Sequence, residues 1–96
     1  MKIDFNKNVE ILNVSLEGRL DTVTAPDFEE FTQANLSGVK TVVINCEKLE
    51  YVSSAGLRVL LALKKKIAGN VTLTNVQELV MEVLEVTGFV DILEIK

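Results

Sequence analysis

The stretch from Thr41 to Leu61, TVVINCEKLEYVSSAGLRVLL, contains the change of hydrophobic period that decides the fold. Its first six residues, TVVINC, are almost continuously apolar or β-branched, which predicts a strand at the centre of a sheet and covered on both faces, or nearly so. The polar segment EKLEYV predicts a loop. Apolar residues then recur at helical spacing from Ala55 to Ala68, so a helix follows, with Ser53 or Ser54 as its N-cap.

The residues before this stretch predict two strands and a helix. Residues 9–16 alternate loosely between apolar and polar side chains, which is the period of a half-buried strand, and residues 3–5 predict a shorter strand before it. Gly18 predicts a turn. Thr24 is the expected N-cap of a first helix, because Pro26 and several acidic residues follow it within two turns.

The residues after the stretch predict two further strands separated by a helix. Residues 71–76 predict a short strand, and residues 90–95 predict a strand at the edge of the sheet. Between them, residues 76–87 predict a helix that Gly88 ends and whose apolar stripe is Leu79, Val80, Val83 and Leu84. The expected fold is a single α/β domain over residues 1–96, with a mixed, mainly parallel sheet of about five strands and three main helices.

Composition limits the function. Ninety-six residues, 48% of them hydrophobic, suffice for one core, so a cleft between two domains is excluded. No run of about 18 apolar residues is present and the N-terminal segment is charged, so we expect a cytoplasmic protein without membrane insertion. The net charge of −4 opposes nucleic-acid binding, which needs basic surface to neutralise phosphates.

The residue types that most catalytic sites need are missing. The chain has no histidine and one cysteine, Cys46, so it cannot form a Ser-His-Asp or Cys-His arrangement or a zinc site, and Cys46 is expected to be a small buried hydrophobe. No GxxxxGK[ST] or GxGxxG motif occurs to bind phosphates. We therefore expect no enzymatic activity, no metal and no cofactor.

The paired serines at the start of the second helix, Ser53 and Ser54, have two interpretations. Free amides and the positive end of the helix dipole would accommodate a phosphate there, and a phosphoserine adds about −1.5 to −2 charges that would repel a docked protein. Alternatively, one serine is only an N-cap, worth about 1 kcal/mol to the helix. The spacing alone leaves both interpretations open.

Three segments together resemble the STAS family, the domain shared by sulfate transporters and bacterial anti-sigma factor antagonists. GRLDTVTAPDF, residues 18–28, resembles the family's Gly-x-Leu-Asp segment, and LEYVSSAGLRVLL, residues 49–61, resembles its phosphorylation loop. VLEVTGFVDIL, residues 83–93, resembles its last helix and strand. Ser53 departs from the family pattern, which often has aspartate there, and Ala55 stands where serine or threonine is common.

The resemblance implies a partner-switching antagonist. By this similarity Ser54 is the phosphoacceptor, and the unphosphorylated chain binds a kinase-like anti-sigma factor that supplies ATP and magnesium. Phosphorylation releases the chain from this partner, and a phosphatase restores the unphosphorylated form. The residues implied in partner binding are Asp21, Thr22, Ser53, Gly56, Leu57 and Arg58.

Several alternatives remain open at this point. The chain can instead be a constitutive scaffold subunit of a transporter or a larger signalling assembly, marked by an exposed apolar patch near Val52, Leu57 and the first helix. Ser53 can be the modified residue in place of Ser54. The protein can be a monomer or a weak dimer through an edge strand.

Overall fold

Strands and helices alternate along the chain after an N-terminal hairpin, in the predicted order ββαβαβαβ. The computed structural model describes all residues, 1–96. Its elements are β1 (Lys2–Asn8), β2 (Ile11–Leu20), α1 (Ala25–Asn35), β3 (Thr41–Val52), α2 (Ser54–Lys66), β4 (Val71–Thr74), α3 (Glu78–Val86) and β5 (Glu94–Ile95), with a 3-10 turn, Phe89–Asp91, before β5. The longest helix, α2, has 13 residues, and no helix is long and apolar enough to span a bilayer.

The five strands form one mixed sheet in the order β1-β2-β3-β4-β5. β1 pairs with β2 in the antiparallel direction, and the other neighbouring strands pair in parallel. The strand containing TVVINC is therefore central, as the sequence predicted. A helix connects each parallel pair of strands, which is the connection that a parallel ladder requires.

The hydrophobic core lies on one face of the sheet. Twenty-two buried apolar residues form a single cluster, to which alternate residues of β2 and β3 and all three helices contribute. The opposite face carries Asn13, Ser15, Val43 and Asn45, none of which is buried. The expectation that TVVINC is covered on both faces was therefore wrong: Val42, Ile44 and Cys46 are buried, whereas the residues between them border solvent.

The predicted loop EKLEYV is in fact the second half of β3. Its pairing with β2 shifts twice, between Ser15 and Glu17 and between Gly18 and Arg19, and each shift adds one residue on the β3 side. These bulges keep Leu49 and Val52 in the core although polar residues interrupt the alternation. The predicted turn at Gly18 was also wrong, because Gly18 lies inside β2, where its φ of +103° suits the irregular pairing.

Other differences concern the ends of elements. Val9 lies in the turn between β1 and β2, not in a strand, and has a positive φ of 37°. Residues 90–95 form the end of a 3-10 turn and a two-residue strand in place of one longer strand. Leu79 was expected in the core but is 53% exposed, whereas Val80 and Leu84 are buried.

Candidate functional site

The two segments that the sequence analysis singled out meet where β2 and β3 end. Leu20 and Val52 are register partners at these strand ends, and the Ser53 amide donates a hydrogen bond to the Leu20 carbonyl at 2.9 Å. The loop that begins at Asp21 and the helix that begins at Ser54 therefore start side by side. Parallel pairing is the cause, since it brings the carboxyl ends of both strands to one edge of the sheet.

Ser53 is the N-cap of α2. Its backbone is extended (φ −98°, ψ 175°), its side-chain oxygen accepts from the Gly56 amide at 3.4 Å, and its carbonyl accepts the first helical bond, from Leu57, at 2.9 Å. This geometry decides between the two serines as N-cap. Ser53 is half-buried, and its hydroxyl oxygen is engaged in the cap.

Ser54 is the first residue of α2, and its side chain is exposed. The amides of Ser54 and Ala55 precede the first helical hydrogen bond, so they have no partner within the helix. An anionic group on the Ser54 oxygen would stand at the positive end of the helix dipole without disturbing the cap.

Asp21 organises its own loop. Its Oδ1 accepts from the amides of Val23 at 3.0 Å and Thr24 at 3.1 Å, and its Oδ2 lies 3.7 Å from the Arg19 Nε. The pKa of the Asp21 carboxyl is lowered, chiefly by the hydrogen bond from the Thr24 amide. The carboxylate is therefore charged at neutral pH and already occupied in holding the loop.

Thr24 occupies the N-cap position of α1, but it does not cap the helix with its side chain. Its hydroxyl instead donates to the Arg19 carbonyl at 2.7 Å and accepts from the Asp21 amide at 2.9 Å. The predicted N-cap position of Thr24 is confirmed. Its side-chain hydrogen bonds connect the loop to the end of β2 and do not cap α1.

Arg19 and Tyr51 form a contact that the sequence analysis missed. The Arg19 guanidinium carbon lies 4.4 Å from the centre of the Tyr51 ring, within cation–π range. These residues become register partners only because of the second bulge between β2 and β3. Neither spacing nor composition signals such a pair, so only the strand register could have revealed it.

Gly56 has no side chain and Leu57 is buried, so neither offers the direct partner contact that the resemblance implied. A Cβ on Gly56 would lie 2.7 Å from the Leu20 Cγ and 2.9 Å from the Leu20 carbonyl oxygen, which shows how closely α2 approaches the end of β2. Leu57 is 5% exposed and belongs to the core. Both residues position the surface and do not form it.

A shallow groove of about 210 Å³ lies between the starts of α1 and α2, and Ala55, the residue after Ser54, is part of its lining. Its lining includes Thr22 and Arg58, which are both exposed. Val23, in the same loop as Thr22, is 81% exposed. We call Thr22, Val23, Ser54 and Arg58 the docking surface. Val52 and Leu57 are buried and so do not contribute to the apolar patch that would mark a constitutive scaffold, whereas Val23, just before the first helix, is exposed.

The STAS domain model matches residues 2–96 of this sequence. The chain belongs to the STAS domain family. This STAS domain thus has the fold expected from its three signature segments, and the Ser53–Ser54 pair stands at the strand-to-helix junction where the resemblance placed it.

Named relatives cover nearly the whole chain. BtrV of Bordetella bronchiseptica, provisionally named an anti-sigma factor antagonist, is 33% identical over 96 residues, which cover 96% of this STAS domain and 83% of BtrV. A solved anti-sigma factor antagonist of Mycobacterium paratuberculosis superposes with a TM-score of 0.86 at 22% identity, covering 98% of this chain and 83% of that one. SpoIIAA of Bacillus, solved in its phosphorylated form, gives a TM-score of 0.75 at 19% identity, with coverages of 99% and 91%.

Proposed function

We propose that this STAS domain is an anti-sigma factor antagonist that binds a kinase-like anti-sigma factor through its docking surface and is released when Ser54 is phosphorylated. The observation that carries the proposal is the exposed Ser54 side chain at the first position of α2, beside a groove and beside a capping serine that is already engaged. The name of BtrV and the existence of a phosphorylated form of SpoIIAA support it.

Ser54, and not Ser53, is the proposed phosphoacceptor. The Ser53 hydroxyl caps the helix, so its modification would remove the bond to the Gly56 amide and alter the start of α2. Modification of Ser54 leaves that cap in place. In the partner's active site the bond between the γ-phosphorus of ATP and the oxygen that links it to the β-phosphate breaks, and a bond to the Ser54 oxygen forms. ADP leaves and the hydroxyl proton passes to a base of the partner, so this chain is the substrate and the partner holds the nucleotide.

A phosphate on Ser54 would be stabilised within the domain and would repel a partner. Free amides at the start of α2 and the helix dipole favour the anion, and Arg58, exposed and four residues further on, lies one helical turn away on the same face. A partner that had docked against the neutral hydroxyl would then face about two added negative charges in a desolvated contact. The fold is retained while the complex dissociates.

The domain itself is proposed to have no catalytic role. The chain has no histidine to act as a general base near neutral pH, and Asp21, next to Thr22 in the chain, has a lowered pKa and is held by two backbone amides. We further propose that a phosphatase reverses the modification, that the partners meet in the cytoplasm, and that the antagonist acts as a monomer or weak dimer.

The decisive experiment incubates the purified protein with ATP, magnesium and the candidate kinase-like anti-sigma factor from the same genome, followed by intact mass measurement and peptide mapping. We expect one added phosphate, on Ser54, none on Ser54→Ala, and continued phosphorylation of the matched control Ser53→Ala. Ser54→Asp should keep the wild-type circular dichroism spectrum but bind the partner at least several-fold more weakly.

Two outcomes would contradict the proposal. Phosphate mapped to Ser53 would place the switch on the capping residue. A stable complex that acquires no phosphate and binds Ser54→Ala and Ser54→Asp equally would instead support the constitutive scaffold, with Ser54 serving only as a helix residue.

A further inference from the structure

A second surface, on α3, has features that the docking surface does not explain. Leu79, Val83 and Val86 recur four and three residues apart and so lie on one side of the helix. Leu79 is 53% exposed, Val86 is 88% exposed and Val83 is half-buried. We call these three residues the α3 stripe. None of the residues that line the groove between α1 and α2 comes from α3.

Leu79 and Val86 of the α3 stripe lie outside the core, whereas the half-buried Val83 also packs against it. Val80 and Leu84 point into the core, with 1% and 0% exposure, and they stand about 100° around the helix from the stripe. A shallow groove of about 270 Å³, lined by Glu82, Val83, Val86 and Thr87, lies at the C-terminal part of the stripe. Leu79 and Val86, two apolar side chains at core spacing, are therefore left uncovered near a shallow groove.

The border of the α3 stripe is strongly acidic. Glu78, Glu82 and Glu85 are all exposed and form the next row around α3. Residues 75–93 contain four of the fourteen acidic residues of the chain and none of its ten basic ones. The remaining ten acids and ten bases cancel, so this segment accounts for the whole net charge of −4.

We propose that the α3 stripe is a second docking site, for a basic amphipathic helix of another protein. Such a helix would place its apolar residues against Leu79, Val83 and Val86 and its lysines or arginines against the glutamate row, as in other helix-in-groove complexes. A second copy of this chain docked α3 against α3 fits poorly, because two such helices face to face would bring six glutamates together without a basic residue. Because the site is distinct from the docking surface, it can be occupied whether or not Ser54 is phosphorylated.

The test uses the full-length ¹⁵N-labelled protein and a synthetic 16-residue helical peptide with leucines at i, i+3, i+4 and i+7 flanked on one side by lysines. We expect the amide shifts that change on titration to be concentrated in residues 77–90, with binding that weakens as salt increases. Leu79→Ser/Val86→Ser should weaken binding at least tenfold, and Glu82→Lys/Glu85→Lys should do the same. The melting temperature should hardly change, since all four side chains are exposed.

Controls make the result decisive. Val9→Ser, which removes a side chain that is 91% exposed outside α3, should bind like wild type. A peptide with glutamates in place of the lysines should not bind. In the titration, the proposal would be overturned by amide shifts centred on the docking surface or the open face of the sheet, by equal binding of both peptides, or by no binding at millimolar concentration. In sedimentation, it would be overturned by concentration-dependent dimers that Leu79→Ser/Val86→Ser abolishes.

Discussion

Replacing Gly56 by alanine tests whether the close approach of α2 to the end of β2 sets the geometry of the docking surface. The added Cβ would lie 2.7 Å from the Leu20 Cγ, 2.9 Å from the Leu20 carbonyl oxygen and 3.0 Å from the Val52 Cγ2. One of these atoms is backbone and none is the end of a flexible chain, so the conflict requires α2 to move away from the strand ends.

Two opposing terms set the size of the effect. Overpacking of this kind costs about 1–3 kcal/mol. Alanine recovers up to about 1 kcal/mol relative to glycine through helix propensity, although less near a helix end. Because a backbone oxygen is involved, we expect the upper part of the first range and a net loss of about 1–2 kcal/mol. For a domain of this size that corresponds to a melting temperature lower by about 5–15 °C.

The assay is thermal and urea unfolding of Gly56→Ala, with the propensity term measured separately. Lys65→Gly and Lys65→Ala provide that measurement, because Lys65 is exposed and lies near the other end of the same helix. Partner binding of Gly56→Ala should also weaken, since Ser54 moves with the start of α2. An unchanged or higher melting temperature after subtraction of the propensity term would refute the claim that Gly56 is needed for close packing.

Three further predictions concern individual side chains. Ser53→Ala should lose about 0.5–1 kcal/mol of stability in urea unfolding. This is the low end for an N-cap, because the hydrogen bond from the Gly56 amide to the Ser53 hydroxyl is long. No loss would mean that this hydrogen bond contributes nothing. In an NMR pH titration the amide resonances of Val23 and Thr24 should shift as Asp21 is protonated, with a midpoint below 3.8, the ordinary pKa of aspartate. The stability that the ionised Asp21 contributes is present above pH 3.8 and is lost as the pH falls through the lowered pKa. Asp21→Asn should abolish this titration. Burial raises the pKa of the Cys46 thiol from 9.0 to about 12, so the thiol should react with a disulfide reagent at about pH 8 only upon unfolding, and rapid labelling of the native protein would contradict this expectation. Stability should fall as the pH rises above about 9, because only the unfolded thiol ionises there.

The sequence was sufficient for the order of elements, because most of the core-forming segments keep one hydrophobic period. It was insufficient where polar residues interrupt the hydrophobic pattern of a strand or where a helix has more than one apolar stripe. In β3 the polar residues Glu47 and Lys48 imitate a loop, although the bulges make room for them on the open face of the sheet. In α3, Leu79 has core spacing but faces solvent, because hydrophobicity alone does not state which of two neighbouring apolar stripes is covered.

For the candidate site, the sequence located the junction but not its internal division of roles. Two adjacent serines at a helix start are equivalent in sequence, and only the extended backbone of Ser53 assigns it to the cap. The same holds for Leu57, which the resemblance implied in binding and the structure places in the core. The contact between Arg19 and Tyr51 could not be predicted, because it depends on a register shift that no local sequence pattern encodes.

The one-sided core described above also bears on how far such a sequence can drift. Only 25 of the 96 residues are buried, and 22 of them form the apolar cluster that the fold needs. A mutation on the open face of the sheet, at Asn13 or Ser15 for example, removes no packing from that cluster, so selection for stability acts weakly there. A two-layer domain of this kind can therefore diverge to the 19–33% identity of its named relatives while its backbone stays superposable.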